Sequence, residues 1–310
     1  MGSRVVVLAA SAALALALPA ESSADETGKP EASAFASLPW LVGSLAHPLQ
    51  IELGFTYDDN VTRGLAADEI LWDTIYSLNV TTGRTFPIAS NLQGIVTGLL
   101  TGEAFGKYSG LAHLGASLRA ELQYRESASY DAVTYGAFVR GWLDQYNSHL
   151  RDGGRYTVGV SARRALTDRI EVYGDVSRSV RRAQSAVWDL TEYSARLNLD
   201  YSLGGGTLYA LGEFHRGDTV SDGRATLVNV SIAQVFVLDD AFPGDQLFAY
   251  RYDAKTWVGM LGYSLPLGHQ DSIDIAWRRT QATPTERPDF VTGSLRYVDN
   301  QYSIVYLRRF

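Results

Sequence analysis

The sequence predicts an all-β protein, an antiparallel up-and-down β-barrel that crosses a membrane with about twelve strands. Three observations indicate this fold. Apolar and polar residues alternate over runs of about 11 to 16 residues, whereas strands of soluble domains usually have about five or six. The polar positions carry many charges, which the core of a soluble sandwich could not bury unpaired. The connections alternate between short turns and longer loops, as in a barrel whose two ends differ.

The first predicted strand begins near residue 50 and shows the alternation clearly. Ile51, Leu53 and Phe55 share one face, while Glu52 and Thr56 share the other, because successive side chains of a strand point to opposite sides. The same pattern predicts further strands near 70–82, 91–105, 111–124, 132–146, 155–165, 169–182, 191–203, 207–216, 248–266 and 271–282, followed by a last strand at the C-terminus.

Three stretches between these strands fit less simply. Residues 83–90 are long for a turn, and residues 106–110 are short for a loop. Residues 217–247 contain two apolar runs, at 227–232 and 235–238. These runs either form an extra hairpin, which would give fourteen strands, or belong to a loop that folds inward or packs on the rim.

The N-terminal residues precede the barrel. Residues 1–24 have the features of a secretory signal peptide, since Arg4 is followed by an apolar run and then by the small residues Ser22 and Ala24. The run is too short to span a membrane as a helix. We expect residues 25–47 to form an N-terminal arm and residues 48–310 to form the barrel.

The last nine residues form an alternating strand that ends on an aromatic residue. Tyr302, Ile304, Tyr306 and Phe310 are assigned to one face. This strand resembles the closing strand of bacterial outer-membrane β-barrels of the porin-like type. Arg308 departs from that family's pattern, which usually has an apolar residue there, but a long Arg side chain can extend to the lipid headgroups.

The resemblance implies a location and a set of partners. It implies residence in the outer membrane of a Gram-negative bacterium, with the C-terminus and the arm at 25–47 in the periplasm. It also implies contact with outer-membrane lipid and lipopolysaccharide. The four alternating residues of the last strand would then be the signal that the barrel-assembly machinery reads.

The polar face of the predicted strands is rich in arginine and carboxylate side chains. These groups either form an ion-pair network that fills a narrow barrel or line a small water-filled pore. We expect a narrow channel for passive or weakly selective passage of small hydrophilic solutes. The alternatives are a non-transporting structural or surface-interaction barrel, or the barrel component of an export complex. The candidate lining residues are Arg119, Glu121, Arg140, Asp144, Arg163, Glu171, Asp175, Arg181, Glu192, Arg196, Asp200, Glu213, Asp274 and Arg278.

Composition argues against several other functions. The chain has no cysteine, which removes disulfides and thiolate metal sites, and its net charge of −7 argues against nucleic-acid binding. His113 and His215 are assigned to the inward face rather than to a lipid-facing catalytic site, so we expect neither an enzyme nor a cofactor. Asp58, Asp59 and Asn60 could offer oxygen ligands to Ca²⁺, but the expectation is a solvated outer loop without a metal.

Overall fold

The computed structural model describes residues 49–310, so the predicted signal peptide at 1–24 and the predicted arm at 25–47 lie outside the described residues. The described chain forms one antiparallel sheet that closes on itself. Its strands are β1 (Leu49–Asp58), β2 (Asp73–Ala89), β3 (Leu92–Phe105), β4 (His113–Arg125), β5 (Thr134–Tyr146), β6 (Gly153–Ala165), β7 (Ile170–Ala183), β8 (Thr191–Leu203), β9 (Gly206–Gly223), β10 (Val235–Leu238), β11 (Phe248–Pro266), β12 (Asp271–Pro284) and β13 (Tyr297–Arg309).

Twelve of these strands form the wall of the barrel. They follow chain order from β1 to β9, continue through β11, β12 and β13, and close by pairing β13 with β1. The predicted barrel of about twelve strands is therefore confirmed, and the fourteen-strand alternative is wrong. The extra strand β10 has four residues and pairs with the first residues of β11.

The first apolar run within 217–247 forms a helix rather than a strand. Helix α1 (Leu227–Ile232) is capped by Thr226, whose side-chain oxygen accepts a hydrogen bond from the Asn229 N–H. Such a cap satisfies a backbone donor that the first turn leaves without a partner. Tertiary contacts hold the segment over the barrel, so its β-branched composition does not make it a strand.

The two faces of the wall differ as the alternation predicted. Leucines such as Leu53, Leu114 and Leu143 are more than half exposed on the outer face, while their polar neighbours Glu52, His113 and Asp144 are buried or half-buried. An even-stranded antiparallel barrel with an apolar outer face and a polar interior has the architecture of a bacterial outer-membrane protein. Within residues 49–310, no helix is long and apolar enough to cross a membrane.

The two ends of the barrel are built differently. The end that carries Phe310, here called the turn end, has mostly tight connections, such as residues 90–91 and the pair Gly204 and Gly205, which both have positive φ; the exception is the eight-residue connection 126–133. The long turn predicted at 83–90 is wrong, because β2 continues to Ala89. The opposite end, here called the loop end, carries the longer connections 59–72, 106–112, 147–152, 184–190, 224–247 and 285–296.

Candidate functional site: the barrel interior

A chain of ion pairs crosses three neighbouring strands inside the barrel. The Arg196 guanidinium lies 3.7 Å from Asp175 and 2.9 Å from Glu213. His215 continues the chain, with one ring nitrogen 2.9 Å from Glu213 and the other 3.2 Å from Glu192. The five side chains come from β7, β8 and β9 at positions that face inward because they alternate with apolar outer residues. The interior of this wall is therefore highly charged but internally paired.

Further polar contacts extend this charged wall to its neighbours. Arg119 donates to Glu121 at 2.6 Å and lies over the Phe138 ring. Arg163 lies 2.5 Å from Glu171. Planar guanidinium groups suit such fixed carboxylate pairing and stacking on aromatic rings. The charged wall thus runs from β4 to β9.

Another part of the interior is apolar. Tyr209, Leu211 and Met260 pack with Val305 and Leu307 in a buried cluster. With Ala276 of β12, the cluster covers the inner face of four neighbouring strands, β9, β11, β12 and β13. Tyr209 donates its hydroxyl to Asp274 at 2.7 Å, which links the cluster to the polar side chains. The interior is divided between a charged and an apolar region.

The candidate lining residues predicted from the sequence all avoid the exposed outer face. Eight of the fourteen are buried and six are half-buried. The structure brings eight of them into the ion pairs described above on β4 and on β6 to β9. Arg181 and Asp144 lie nearer the loop end, where Trp142 donates a short hydrogen bond to Asp144. Their role as the lining of a solute path stays a prediction.

Two connections cross the loop end. They are residues 59–72 and 224–247, here called the loop-end cover. Glu69 of the first segment accepts hydrogen bonds from the Arg224 N–H at 2.9 Å and from the Asn229 side chain at 2.8 Å. In the ring of twelve wall strands, β9 lies four strands from β1 and five from β2. These contacts therefore join distant parts of the rim.

The end of the cover that precedes β11 reaches the opposite wall. Phe242 packs with Phe105 and Leu111 in a buried apolar cluster. Gly110 permits this approach, since a Cβ there would overlap the backbone of Ala241. The cover is thus packed between the β3–β4 connection and β11.

A buried ion pair fastens the cover to the β5–β6 connection. Arg151 donates to the two carboxylate oxygens of Asp239 at 2.7 and 2.5 Å, and the two side chains are 1% and 0% exposed. Arg151 also lies over the Trp188 ring and 3.8 Å from Asp222. Burial disfavours the charged form of Asp239, but the Arg151 guanidinium outweighs it and holds the pKa of Asp239 below its ordinary value.

The acidic residues that follow β1 are part of a brace between strands. Asp59 accepts hydrogen bonds from the backbone and side chain of Asn300 at 2.7 and 2.8 Å. Asp58 and Asn60 are each 1% exposed, so the expected solvated outer loop is wrong for these two. One carboxylate oxygen each of Asp58, Asp59 and Asp299 lies within 4.8 Å of the others. The first two are engaged in hydrogen bonds that fix the start of the cover.

The residues of the last strand occupy the predicted face. Tyr302, Ile304 and Phe310 are about half exposed on the outer surface, and Tyr306 donates its hydroxyl to Asp271 at 2.6 Å. Arg308 is also outward, 3.9 Å from Asp271, at the turn end. Recognition of this strand by the assembly machinery stays a prediction.

Sequence reasoning missed the fastening of the cover and part of the interior. Arg155 and Arg140 both stack on the Trp142 ring. Arg155 lies two residues before the inward-facing Thr157 and therefore on the same face of β6, and this alternation alone could have assigned Arg155 to the interior. Arg151 and Asp239 carried no comparable signal, because both lie in connections and 88 residues separate them.

Comparisons with solved structures support the architecture. A structure of an outer-membrane channel from Pseudomonas putida F1 is 13% identical, covers 85% of this chain and 96% of its own, and has a TM-score of 0.55. The KdgM porin in complex with disordered oligogalacturonate is 10% identical, with coverage of 84% and 99% and a TM-score of 0.45. No protein-family model and no curated protein matches the chain. The first similarity shows the fold, a closed antiparallel β-barrel of the outer-membrane type.

Proposed function

We propose that this barrel is a narrow outer-membrane channel for passive or weakly selective passage of small hydrophilic solutes, closed at rest by the loop-end cover. The observation that carries the proposal is the charged interior wall from β4 to β9. Buried ion pairs contribute little net stability and can often be replaced by apolar residues. The apolar cluster around Met260 is an example of such packing in the same interior. A water-filled passage accounts for the charged wall, whereas a contribution to stability alone does not.

The test is planar-bilayer conductance of the protein with and without residues 224–247 of the loop-end cover; the variant that lacks these residues is here called the cover-deleted variant. Since β9 ends at Gly223 and β11 begins at Phe248, residues 224–247 can be replaced by a short Gly-Ser linker without shortening a wall strand. A matched control shortens the 285–296 connection instead. We expect small, infrequent conductance steps from the wild type and the control, and large, frequent steps from the cover-deleted variant. Absence of stepwise conductance in the cover-deleted variant would reject a channel.

The second candidate is a non-transporting barrel that presents its loop end to other molecules. The dense pairing of Arg196 with Asp175 and Glu213, together with the packed cover, favours it. It predicts that no variant gives stepwise conductance in planar bilayers. An export role would instead involve the arm at 25–47, and a pull-down with and without those residues tests it.

A further inference from the structure

The outer face of the barrel carries a row of cations near the loop end. Arg178 of β7 is paired in register with Tyr193 of β8, Tyr193 with Arg216 of β9, and Arg216 with Lys255 of β11. All four side chains are exposed on the outer face. Among residues 49–310, no carboxylate forms an ion pair with any of the three cations; Arg178 lies against the Tyr193 ring, 5.7 Å from its centroid.

This arrangement is unfavourable unless an anion is supplied from outside. Arg216 and Lys255 are directly opposite each other on neighbouring strands, and like charges in that position destabilise a sheet. The next row toward the loop end contains Asp218 and Asp253, and Asp218 already accepts a hydrogen bond from the Thr191 N–H at 2.8 Å. The three cations therefore remain available to a group that is not part of the chain.

An apolar groove lies on the other side of this row. It has a volume of about 1050 Å³ and extends over the outer face from β2 to β9. Small residues such as Ala120, Ala137 and Ala195 line it, and Arg178 and Arg216 form part of its edge. Its volume is slightly above the range for small-molecule sites, about 300–1,000 Å³. The groove is thus large enough for hydrocarbon chains of a lipid.

We propose that this row and groove form a binding site for a phosphorylated glycolipid of the lipid A type, in the outer leaflet. The phosphate would contact Arg178, Arg216 and Lys255, and an acyl chain would occupy the groove. Arginine forks match phosphate oxygens in geometry and charge. The aromatic pair Phe214 and Trp257, with ring centroids 4.6 Å apart, lies in the adjacent row, at the boundary where aromatic residues contact headgroups.

The leaflet follows from the position of the row along the strands. Arg178 and Arg216 lie toward the loop end, away from the turn end that carries Phe310. With the C-terminus in the periplasm, the loop end faces outside, where the phosphorylated glycolipid resides. The proposal does not depend on whether the interior conducts, so it stands or falls separately from the proposed channel.

The test measures lipid retention by native mass spectrometry of the full chain purified in detergent. The probe is diphosphorylated lipid A, compared with dephosphorylated lipid A, phosphatidylglycerol and inorganic phosphate. The variant is Arg178→Gln, Arg216→Gln and Lys255→Gln together. The matched control is Arg84→Gln, Arg164→Gln and Arg308→Gln, which removes three outer-face charges at the turn end.

We expect one lipid A per wild-type or control protein, and about a hundredfold weaker binding to the variant, since each cation near an anionic lipid contributes roughly fivefold. Filling the groove with Ala120→Phe and Ala195→Phe should also weaken binding. If the triple variant bound lipid A as tightly as the wild type, the proposed phosphate contact would be wrong. If the Ala120→Phe and Ala195→Phe variant did so, the proposed acyl-chain contact would be wrong. Phosphatidylglycerol binding as tight as that of lipid A, or full competition by inorganic phosphate, would overturn the glycolipid assignment.

Discussion

Replacing Arg151 with methionine should release the loop-end cover without unfolding the barrel. The substitution removes both Arg151 hydrogen bonds to Asp239 and leaves that carboxylate, which is 0% exposed, with the Ala241 N–H at 2.9 Å and the contact with the buried Asp222 carboxyl group. Breaking a buried ion pair in this way costs about 3–5 kcal/mol. The pair joins two connections and no wall strands. Its loss should therefore destabilise the closed position of the cover and not the wall of the barrel. The equilibrium between closed and open cover should then shift by more than about a hundredfold.

The measurement is single-channel conductance combined with limited proteolysis of 224–247. Arg151→Met should raise the fraction of time in the large-conductance state and expose the cover to protease. Arg164→Met is the matched control, because its pair with Asp131 is more than half exposed at the turn end and contributes little. The double variant Arg151→Met with Asp239→Leu should restore closure, since an apolar pair can replace a buried ion pair. Wild-type conductance and protease resistance in Arg151→Met would refute this account of how the cover is held.

Three other predictions follow from the same structure. Because the pKa of Asp239 is lowered in the closed cover, the ion pair stabilises closure above the ordinary carboxyl pKa of 3.8 and this contribution is lost as pH falls further; conductance should rise below about pH 4, except in Arg151→Met. Arg196→Gln leaves Glu213 without its guanidinium partner, so urea unfolding should show a loss of about 1–3 kcal/mol. Deleting Phe310 should reduce heat-modifiable barrel in outer membranes more than Arg308→Gln does, and equal insertion of both variants would contradict the assembly role.

Strand alternation was sufficient to predict most of the wall. Apolar and polar residues alternate along the chain as Leu53 and Glu52 do. This alternation assigns the two faces correctly, because one face contacts lipid and the other faces the interior. The end of β2 was missed for a physical reason. The strand continues past the exposed Arg84, whose guanidinium lies over the Phe86 ring two residues further on, near the turn end, where a charge on the outer face costs little.

The cover could not be predicted in the same way. Residues 227–232 alternate like a strand, yet the Thr226 cap and the contact of Asn229 with Glu69 hold them as helix α1. The partners of these residues are up to 160 residues away in sequence, so no local pattern contains the contact. Tertiary structure decides the conformation of such a short segment, as it commonly does where intrinsic propensity is weak.

The position of the cover also sets an order of events in assembly. Its contacts connect the β1–β2 and β5–β6 connections to the segment before β11, so they require most of the wall to be in place. Contacts that close such long loops form late in folding, because the entropy of loop closure must be lost before they are gained. We therefore expect the newly inserted barrel to pass through a stage in which its wall is complete and residues 224–247 have not yet docked on the loop end. Docking of these residues would end that stage.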